Sequence, residues 1–230
     1  MTATKAANWR LWLQAPAFAL VWTAAVFLSA GGFYWVRGWI YIGLFMAGVS
    51  VSGLIVRCFN PSLIAARAKW RHPDTKHFDK IFLSVYMPLN LLQPVVAGLD
   101  AERHRWSSMS FASVYPGVVL FTFGIALITW ALAVNPFAES TVRIQTDRGQ
   151  TVISAGPYRF VRHPIYVGGI LMYVATPLIL GSVWALAMGG VIAALFIWRT
   201  ALEDKALQAE LAGYQEYATL TRYRLLPKVW

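Results

Sequence analysis

The chain has 230 residues and a formal net charge of +10, and 58% of its residues are hydrophobic whereas only 13% are charged. This composition, with a mean hydropathy of +0.53, excludes an ordinary soluble domain and indicates an integral membrane protein. The basic residues lie between apolar runs, which is typical of charge that flanks membrane spans and argues against nucleic-acid binding. A single cysteine, Cys58, excludes an intrachain disulfide and a multi-cysteine metal site, so we expect no metal.

Six apolar segments predict an all-α fold, a polytopic membrane helical bundle. Four have spanning length: Leu11 to Tyr34, Trp39 to Val56, Ile81 to Leu99 and Phe111 to Val134. The first has no small-residue cleavage site after a short apolar core, so we expect a membrane helix and not a signal peptide. The last two, Ile165 to Leu180 and Val183 to Thr200, are separated only by Gly181-Ser182 and predict a C-terminal helical hairpin.

Several local features accompany these segments. Residues Pro61 to Trp70 are short and amphipathic, which predicts an interfacial helix. Pro88 and Pro94 lie inside the third segment, where we expect a kink, and residues 100 to 105 predict a charged loop. We expect one domain over residues 1–230, with N-terminal spans in 1–134 and a cofactor-binding and catalytic region in 135–230.

The distribution of basic residues predicts the orientation of the bundle. Six of them follow the second segment, whereas only Arg37 follows the first: Arg57, Arg67, Lys69, Arg71, Lys76 and Lys80. Because positive loops stay in the cytoplasm, this side is predicted to be cytoplasmic, together with both termini and the 135–163 connection. The tail after residue 200 has the composition of a cytoplasmic helix and turn, and we expect it to fold back over a site there.

The most informative motif is Gly156-Pro-Tyr-Arg-Phe-Val-Arg-His-Pro-Ile-Tyr166. Pro164 suits the first turn of a helix, and His163 then falls near the N-cap. The free N–H groups of that helix, with Arg162 and Tyr166 nearby, favour a ligand that carries a carboxylate or phosphate. Arg199 and Glu203 are four residues apart, so they share one helical face at the same end of the hairpin. Together these residues predict a cofactor pocket at the membrane surface.

Simpler interpretations remain open for each residue taken alone. Arg159, Arg162 and Arg199 also fit membrane-anchoring charges, and the tyrosines at 158, 166, 214 and 217 also fit an aromatic belt. His163 also fits a helix cap, and Asn135 either ends the fourth segment or lines the site. Glu139 and Asp147 are predicted to be solvated loop charges.

The polar motifs, taken in order, resemble the isoprenylcysteine carboxyl methyltransferase family, which includes many bacterial members. The resemblance covers about the last 100 residues and rests on Val142-Arg-Ile-Gln145, Gln150-Thr-Val-Ile153, Gly156-Pro-Tyr158, Arg162-His-Pro-Ile-Tyr166, Arg199 with Glu203-Asp204, and Gly213-Tyr214-Gln-Glu-Tyr217. Where the family commonly has two successive glutamates, this chain has Glu203-Asp204, and Asp204 receives no assignment. The resemblance implies an all-helical enzyme of a bacterial inner membrane that uses S-adenosyl-L-methionine.

The same resemblance implies roles for individual residues. Arg199 would be the catalytic residue that faces the methyl acceptor. The cofactor contacts would be Gln145, Gln150, Thr151, Val152, Ile153, Tyr158, His163, Pro164, Ile165, Tyr166 and Glu203. The acceptor would be a lipophilic carboxylate such as that of an isoprenylcysteine-like compound. Alternatives are a phospholipid amine or a thiol as acceptor, a membrane reductase of related helical fold, and a transporter or scaffold. The expected partners are membrane lipids and a lipophilic substrate, and the sequence leaves the oligomeric state open.

Overall fold

The computed structural model describes residues 18–69 and 72–230, where the secondary structure is helical and no strand occurs. Eight α-helices follow one another within these ranges: α1 (Phe18–Ala30), α2 (Val36–Phe59), α3 (Pro61–Ala68), α4 (His77–Ala97), α5 (Val114–Val134), α6 (Pro164–Leu180), α7 (Val183–Glu210) and α8 (Tyr214–Leu220). A π-helical segment, Gly98–His104, extends α4, and short 3₁₀ turns occur at Phe111–Ser113, Thr146–Arg148 and Gly156–Arg159.

The expected all-α membrane bundle is confirmed. Four helical stretches are long and apolar enough to cross a membrane, namely Val36–Phe59, His77–His104, Phe111–Val134 and Val183–Glu210, while α1 and α6 are shorter and apolar. Each of the six predicted segments therefore corresponds to a helix. Residues 11–17 of the first segment, and Trp70 of the predicted interfacial helix, lie outside the described residues.

The third predicted segment stays helical through its two prolines, and the kink expected there remains a prediction. Helix α4 continues through Pro88 and Pro94, and the irregular backbone follows as the π-helical segment that begins at Gly98. The Gly98 N–H donates to the carbonyl of Pro94, so the turn after the proline is closed within the chain. In apolar surroundings a helix retains its internal hydrogen bonds, because no water is present to replace them.

The charged loop predicted at residues 100 to 105 is also helical. Its first acidic residue, Asp100, is fully buried and accepts hydrogen bonds from the Ser107 and Ser182 hydroxyls at 2.6 and 2.5 Å. Because Ser182 caps the start of α7, Asp100 ties the π-helical segment to the α6–α7 hairpin. We call this end of the bundle the hairpin end, and the opposite end, which carries residues 135–163 and the tail from residue 211, the loop end.

Close packing of α5 against α6 rests on glycines. A Cβ atom at Gly168 would lie 2.5 Å from the Gly124 carbonyl oxygen, and one at Gly124 would lie 2.8 Å from the Gly168 oxygen. Near the hairpin end, a Cβ atom at Gly117 would lie 2.9 Å from the Ile179 backbone nitrogen. Small residues allow membrane helices to approach this closely, and the resulting contact fixes the wall that α5 and α6 share.

A substitution at this contact tests the packing. Gly168→Ala places a methyl group against the backbone of α5, so we expect a loss of about 1 to 3 kcal/mol in the free energy of unfolding. The matched control is Gly53→Ala in α2, where an added Cβ meets nothing within 4 Å. Reversible unfolding in mixed detergent micelles measures both variants. Equal stability of the two would contradict the proposed close contact.

Candidate active site

One cavity of about 570 Å³ connects the loop end to the interior of the bundle in the described part of the chain. Its polar end is formed by residues 135–166, the last turns of α7, and Tyr214 and Tyr217 of α8. Its apolar end lies among α1, α2, α5 and α6 and is lined by Phe18, Trp22, Tyr41, Phe45, Phe121 and Met172. The volume is in the range of small-molecule sites, and the two ends suit ligands of opposite character.

The predicted site residues come together at this cavity with one exception. Residues Gln145, Gln150, Thr151, Val152, Ile153, Tyr158, His163, Ile165, Tyr166, Arg199 and Glu203 all line it. Pro164 is buried as the first residue of α6 but does not belong to the lining. The tail also folds over the cavity as expected, since the Arg162 and His163 N–H groups donate to the Tyr223 and Arg224 carbonyls at 2.9 and 3.0 Å.

Glu203 is the acidic residue of the lining that has no cation beside it. Its carboxylate accepts a hydrogen bond from the Tyr166 hydroxyl, and no basic nitrogen of the described residues lies within 4.0 Å of it. The Tyr166 ring stacks on the His163 ring, with centroids 5.6 Å apart and planes 5° from parallel. The polar end thus combines an unneutralised carboxylate with aromatic surface.

Arg199 has a partner that the sequence did not reveal. Its Nε lies 2.8 Å from Oδ1 of Asp79, and the two side chains are only 8% and 0% exposed. The guanidinium also lies over the Phe82 and Tyr166 rings, 4.5 and 5.1 Å from their centroids, and donates to the Ser140 carbonyl at 3.1 Å. Arg199 therefore faces the cavity with its charge already neutralised.

Asp79 also fixes the loop above the cavity. Its second carboxylate oxygen accepts a hydrogen bond of 2.7 Å from the backbone N–H of Val142. In the sequence Asp79 is an isolated acid within a basic stretch, and its only local signal is its place in the first turn of α4, where acids are common. The contact with Arg199 depends on the packing of α4 against α7, which no local pattern specifies.

Asp204, which the sequence left unassigned, is the centre of the largest buried polar cluster at the loop end. It is fully buried and accepts from Nε and Nη2 of Arg162 at 2.7 and 3.0 Å and from Nε of Arg224 at 2.8 Å. The Tyr214 hydroxyl donates to it at 3.1 Å, and Nε2 of His163 lies 3.3 Å away. The Asp204 carboxylate therefore joins α7 to the start of α6, to α8 through Tyr214, and to the segment after α8 through Arg224.

This cluster changes the predicted roles of Arg162 and His163. Arg162 donates its remaining bonds to the Thr221 and Arg222 carbonyls, both at 2.8 Å, so the predicted use of its guanidinium for a ligand anion is wrong. His163 occupies the N-cap position but makes no side-chain cap bond, so the simple helix-cap reading fails as well. Burial, followed by the negative charge of Asp204, raises the pKa of the Tyr214 phenol, which therefore remains a hydrogen-bond donor.

Ion pairs within residues 135–163 stabilise the loop that covers the polar end. Glu139 was predicted to be solvated, but its side chain is 2% exposed and pairs with Arg143 at 2.8 Å and Arg148 at 3.3 Å. Asp147, also bound to Arg143, is 61% exposed as predicted. Hydrogen bonds to Glu139 and Asp147 raise the pKa of Arg143. The basic residues of this loop thus neutralise loop acids.

The amides of the lining are used mainly to hold its shape. The Gln145 side chain donates to the Phe137 carbonyl and accepts from Arg148, both at 2.7 Å, and its backbone N–H donates to Oε1 of Gln150 at 2.7 Å. Asn135, whose role was left open, ends α5 and donates to the Tyr158 hydroxyl at 2.9 Å. These contacts make the polar end a preformed wall.

The Asp204 cluster generates a stability prediction. Asp204→Asn removes a buried charge that faces two arginines and leaves them uncompensated, so we expect a loss of about 3 to 5 kcal/mol in the free energy of unfolding. The control Asp147→Asn removes an exposed acid from a surface pair and should change stability little. Unfolding in mixed micelles compares the two. A similar small effect in both would remove Asp204 from its structural role.

Comparison with known families yields one match. Residues 112–212 match the family described as phospholipid methyltransferase, and no curated protein matches the chain significantly. The matched stretch contains all of α5, α6 and α7, and the loop that carries the predicted cofactor residues. The match supports the expectation of a membrane methyltransferase family. It does not distinguish the isoprenylcysteine carboxyl methyltransferases within that expectation. The part of the chain that builds most of the polar end is therefore similar to the phospholipid methyltransferase family.

Proposed function

We propose that this protein is a membrane methyltransferase that uses S-adenosyl-L-methionine to methylate a lipophilic acceptor. The observation that carries the proposal is the single cavity, because it joins a polar end with an unneutralised Glu203 carboxylate to an apolar end inside the bundle. The polar end suits a water-soluble cofactor and the apolar end suits a lipid chain. The similarity of residues 112–212 to the phospholipid methyltransferase family supports the same reaction type.

The residues present fit the chemistry of this cofactor. It carries an ammonium, a carboxylate, ribose hydroxyls, an adenine ring and a sulfonium, so its site needs an anionic acceptor and aromatic surface. Glu203 offers a carboxylate without a competing cation, and the rings of Tyr158, Tyr166 and Tyr214 line the same space. Residues Gln150 to Ile153 line the same cavity. The bound cofactor would supply a methyl group that is activated for displacement from sulfur.

The contribution of the protein to such a transfer is alignment and exclusion of water. In the displacement the bond from methyl to sulfur breaks as a bond from methyl to the acceptor forms, and a neutral thioether leaves. A carboxylate acceptor has no proton to lose, so no general base is required, and holding the two reactants in line supplies most of the rate. The Asp79–Arg199 pair, buried beside the cavity, provides guanidinium donors at a fixed position.

Of the acceptor classes left open by the sequence, two have specific support. The motif resemblance favours a lipophilic carboxylate such as that of an isoprenylcysteine-like compound, whereas the matched family favours a phospholipid amine. The apolar end of the cavity accepts the hydrocarbon part of either. The concentration of basic residues near the loop end supports a cytoplasmic position for this end, from which a soluble cofactor enters.

The geometry supports methyl transfer over reduction with a nicotinamide cofactor. Such a cofactor carries phosphates that need several free cations. Of the four arginines offered by the sequence for this purpose, Arg143, Arg148 and Arg162 are bound to internal carboxylates, and Arg159 is exposed and does not line the cavity.

The direct test is incubation of the purified protein with methyl-labelled cofactor and a panel of acceptors in mixed micelles. The panel contains a farnesylated N-acetylcysteine, phosphatidylethanolamine and a long-chain thiol. Label in one product identifies the acceptor class. Absence of labelled product from the panel and from a total lipid extract, together with absence of saturable cofactor binding by folded protein, would overturn the proposal.

Binding of the cofactor gives the first functional prediction. Calorimetry in detergent should show saturable binding of S-adenosylmethionine and S-adenosylhomocysteine, and Glu203→Ala should weaken it by about 1 to 3 kcal/mol, because a charged hydrogen-bond partner is lost. Glu203→Gln retains an acceptor for the Tyr166 hydroxyl and isolates the effect of charge. The control is Glu210→Ala, which removes an acid of the same helix that pairs with Lys76 away from the cavity. Unchanged affinity in Glu203→Ala would move this residue out of the cofactor site.

Arg199 gives the second functional prediction. If it orients the acceptor, Arg199→Ala should cut turnover about 10- to 1,000-fold while cofactor affinity is retained. Arg199→Lys should restore little of the turnover, because lysine keeps the positive charge but lacks the planar guanidinium that forms two parallel hydrogen bonds. Arg199→Ala also strands the buried Asp79, so a loss of stability is expected too. The double variant Asp79→Asn with Arg199→Gln separates the two effects: stability should recover and turnover should not. Recovery of both would make the pair purely structural.

A further inference from the structure

The charges that line the cavity are almost all neutralised within the protein. Arg199 pairs with Asp79, Arg162 with Asp204, and Arg143 with Glu139. Two lining residues differ, because no group of opposite charge among the described residues lies within 4.0 Å of them. One is Glu203, which is already part of the proposed cofactor site, and the other is Arg67 of α3.

Arg67 is held in place but not neutralised. Its Nη1 donates to the Ala138 carbonyl at 2.7 Å, whereas its Nε and Nη2 have no hydrogen-bond partner among the described residues. Burial lowers the pKa of Arg67, and the like charge of Arg199 lowers it further. An arginine remains charged in such surroundings.

A half-buried guanidinium without a counterion is unfavourable in a low-dielectric site. Binding of an oxyanion supplies the missing counterion, because a guanidinium recognises carboxylate and phosphate groups through paired, charge-assisted hydrogen bonds. Arg199 can offer directed donors to an acceptor, but it adds no net positive charge, since its own charge is balanced by Asp79. Among the cations that line the cavity in the described residues, Arg67 is therefore the one that an anionic ligand would neutralise.

Arg67 belongs to a different helix from the proposed cofactor contacts, which favours the acceptor as its ligand. Its helix, α3, lies outside the segment similar to the methyltransferase family and outside the 145–166 region that forms the cofactor wall. On this helix, Leu63 and Ile64 pack against Leu132 and Ile128 of α5 beside the cavity. Tyr86 of α4 also lines the cavity and hydrogen-bonds at 2.5 Å with Tyr173 deeper in the bundle. Arg67 thus belongs to a helix that packs on α5, whose Phe121 lines the apolar end.

We propose that Arg67 is the residue that binds an oxyanion in the headgroup of the acceptor amphiphile. The inference rests on the proposed methyl transfer and narrows its substrate class. The oxyanion is either the carboxylate that receives the methyl group or a phosphate next to an amine that receives it. Neutral amphiphiles and amines without an acidic group are poor ligands for this site.

Matched pairs of amphiphiles test the proposal without any need for turnover. The probes are oleate against oleyl alcohol, and oleoyl lysophosphatidate against mono-oleoylglycerol, each added to protein in a non-ionic detergent. For the unsubstituted protein, the anionic member of at least one pair should raise the unfolding temperature in a saturable manner, because a ligand of the folded state stabilises it. The neutral member should not. The pair that responds distinguishes a carboxylate from a phosphate.

Substitution of Arg67 assigns the effect to this residue. Arg67→Gln should weaken the apparent affinity for the anionic probe by about tenfold or more, and Arg67→Lys should retain part of it. The matched control is Arg57→Gln, an exposed basic residue near the end of α2 that does not line the cavity. If Arg67→Gln does not fold, Arg67→Lys alone carries the comparison, since it keeps a donor for Ala138. A response that persists unchanged in Arg67→Gln, falls equally in Arg57→Gln, or is absent from the unsubstituted protein would overturn the proposal.

A second measurement separates acceptor from cofactor. Calorimetry with S-adenosylhomocysteine should give dissociation constants for Arg67→Gln and the unsubstituted protein that agree within about twofold, as expected when no contact is lost. Loss of this binding with an unchanged response to anionic amphiphiles would place Arg67 in the cofactor site and overturn the proposal. If the unsubstituted protein binds no S-adenosylhomocysteine but shows the Arg67-dependent response, the methyltransferase assignment fails while the oxyanion site stands.

Discussion

The buried carboxylate of Asp204 is the interaction on which the loop end depends. A charge inside a membrane bundle is tolerated when it is paired and fully hydrogen-bonded, and Asp204 meets both conditions through Arg162, Arg224 and Tyr214. These partners come from the start of α6 and from two parts of the tail. One side chain thereby joins three pieces of backbone, next to the apolar cluster that Leu211, Tyr214 and Tyr217 form with Tyr158. The two interactions together cover the polar end of the cavity.

Internal neutralisation also decides which groups remain for ligands. Most charged residues that form the polar end of the cavity are paired with each other, as in the Glu139–Arg143 and Asp79–Arg199 ion pairs. Among the described residues that line the cavity, Glu203 and Arg67 are left with unbalanced charge, and they belong to different helices. Their opposite signs give the cavity two distinct binding positions. This division matches a reaction between two ligands, one with a cationic group near Glu203 and one with an anionic group near Arg67.

The sequence predicted the parts of this arrangement that are local. Apolar segment length indicated every membrane helix, and the Pro164 start of α6 with the four-residue spacing of Arg199 and Glu203 indicated the cavity. It did not reveal Asp79, the structural role of Asp204 or the burial of Glu139, because each is defined by partners in distant elements. Composition suggested that acids in a polar loop are solvated, but arginines around Glu139 made burial possible.

The two ends of the bundle use buried charge in different ways, and this difference locates the chemistry. At the hairpin end, Arg37 is satisfied by the Met109, Leu178 and Ile179 carbonyls, and Asp100 by serine hydroxyls and N–H groups. These neutral partners lock the α6–α7 hairpin and leave little polar capacity unused. At the loop end, ion pairs hold the frame, and two charges remain open to the cavity. A buried charge with few hydrogen-bond partners is costly in a membrane protein, so the open charges of Glu203 and Arg67 are best explained by ligands that bind at the loop end.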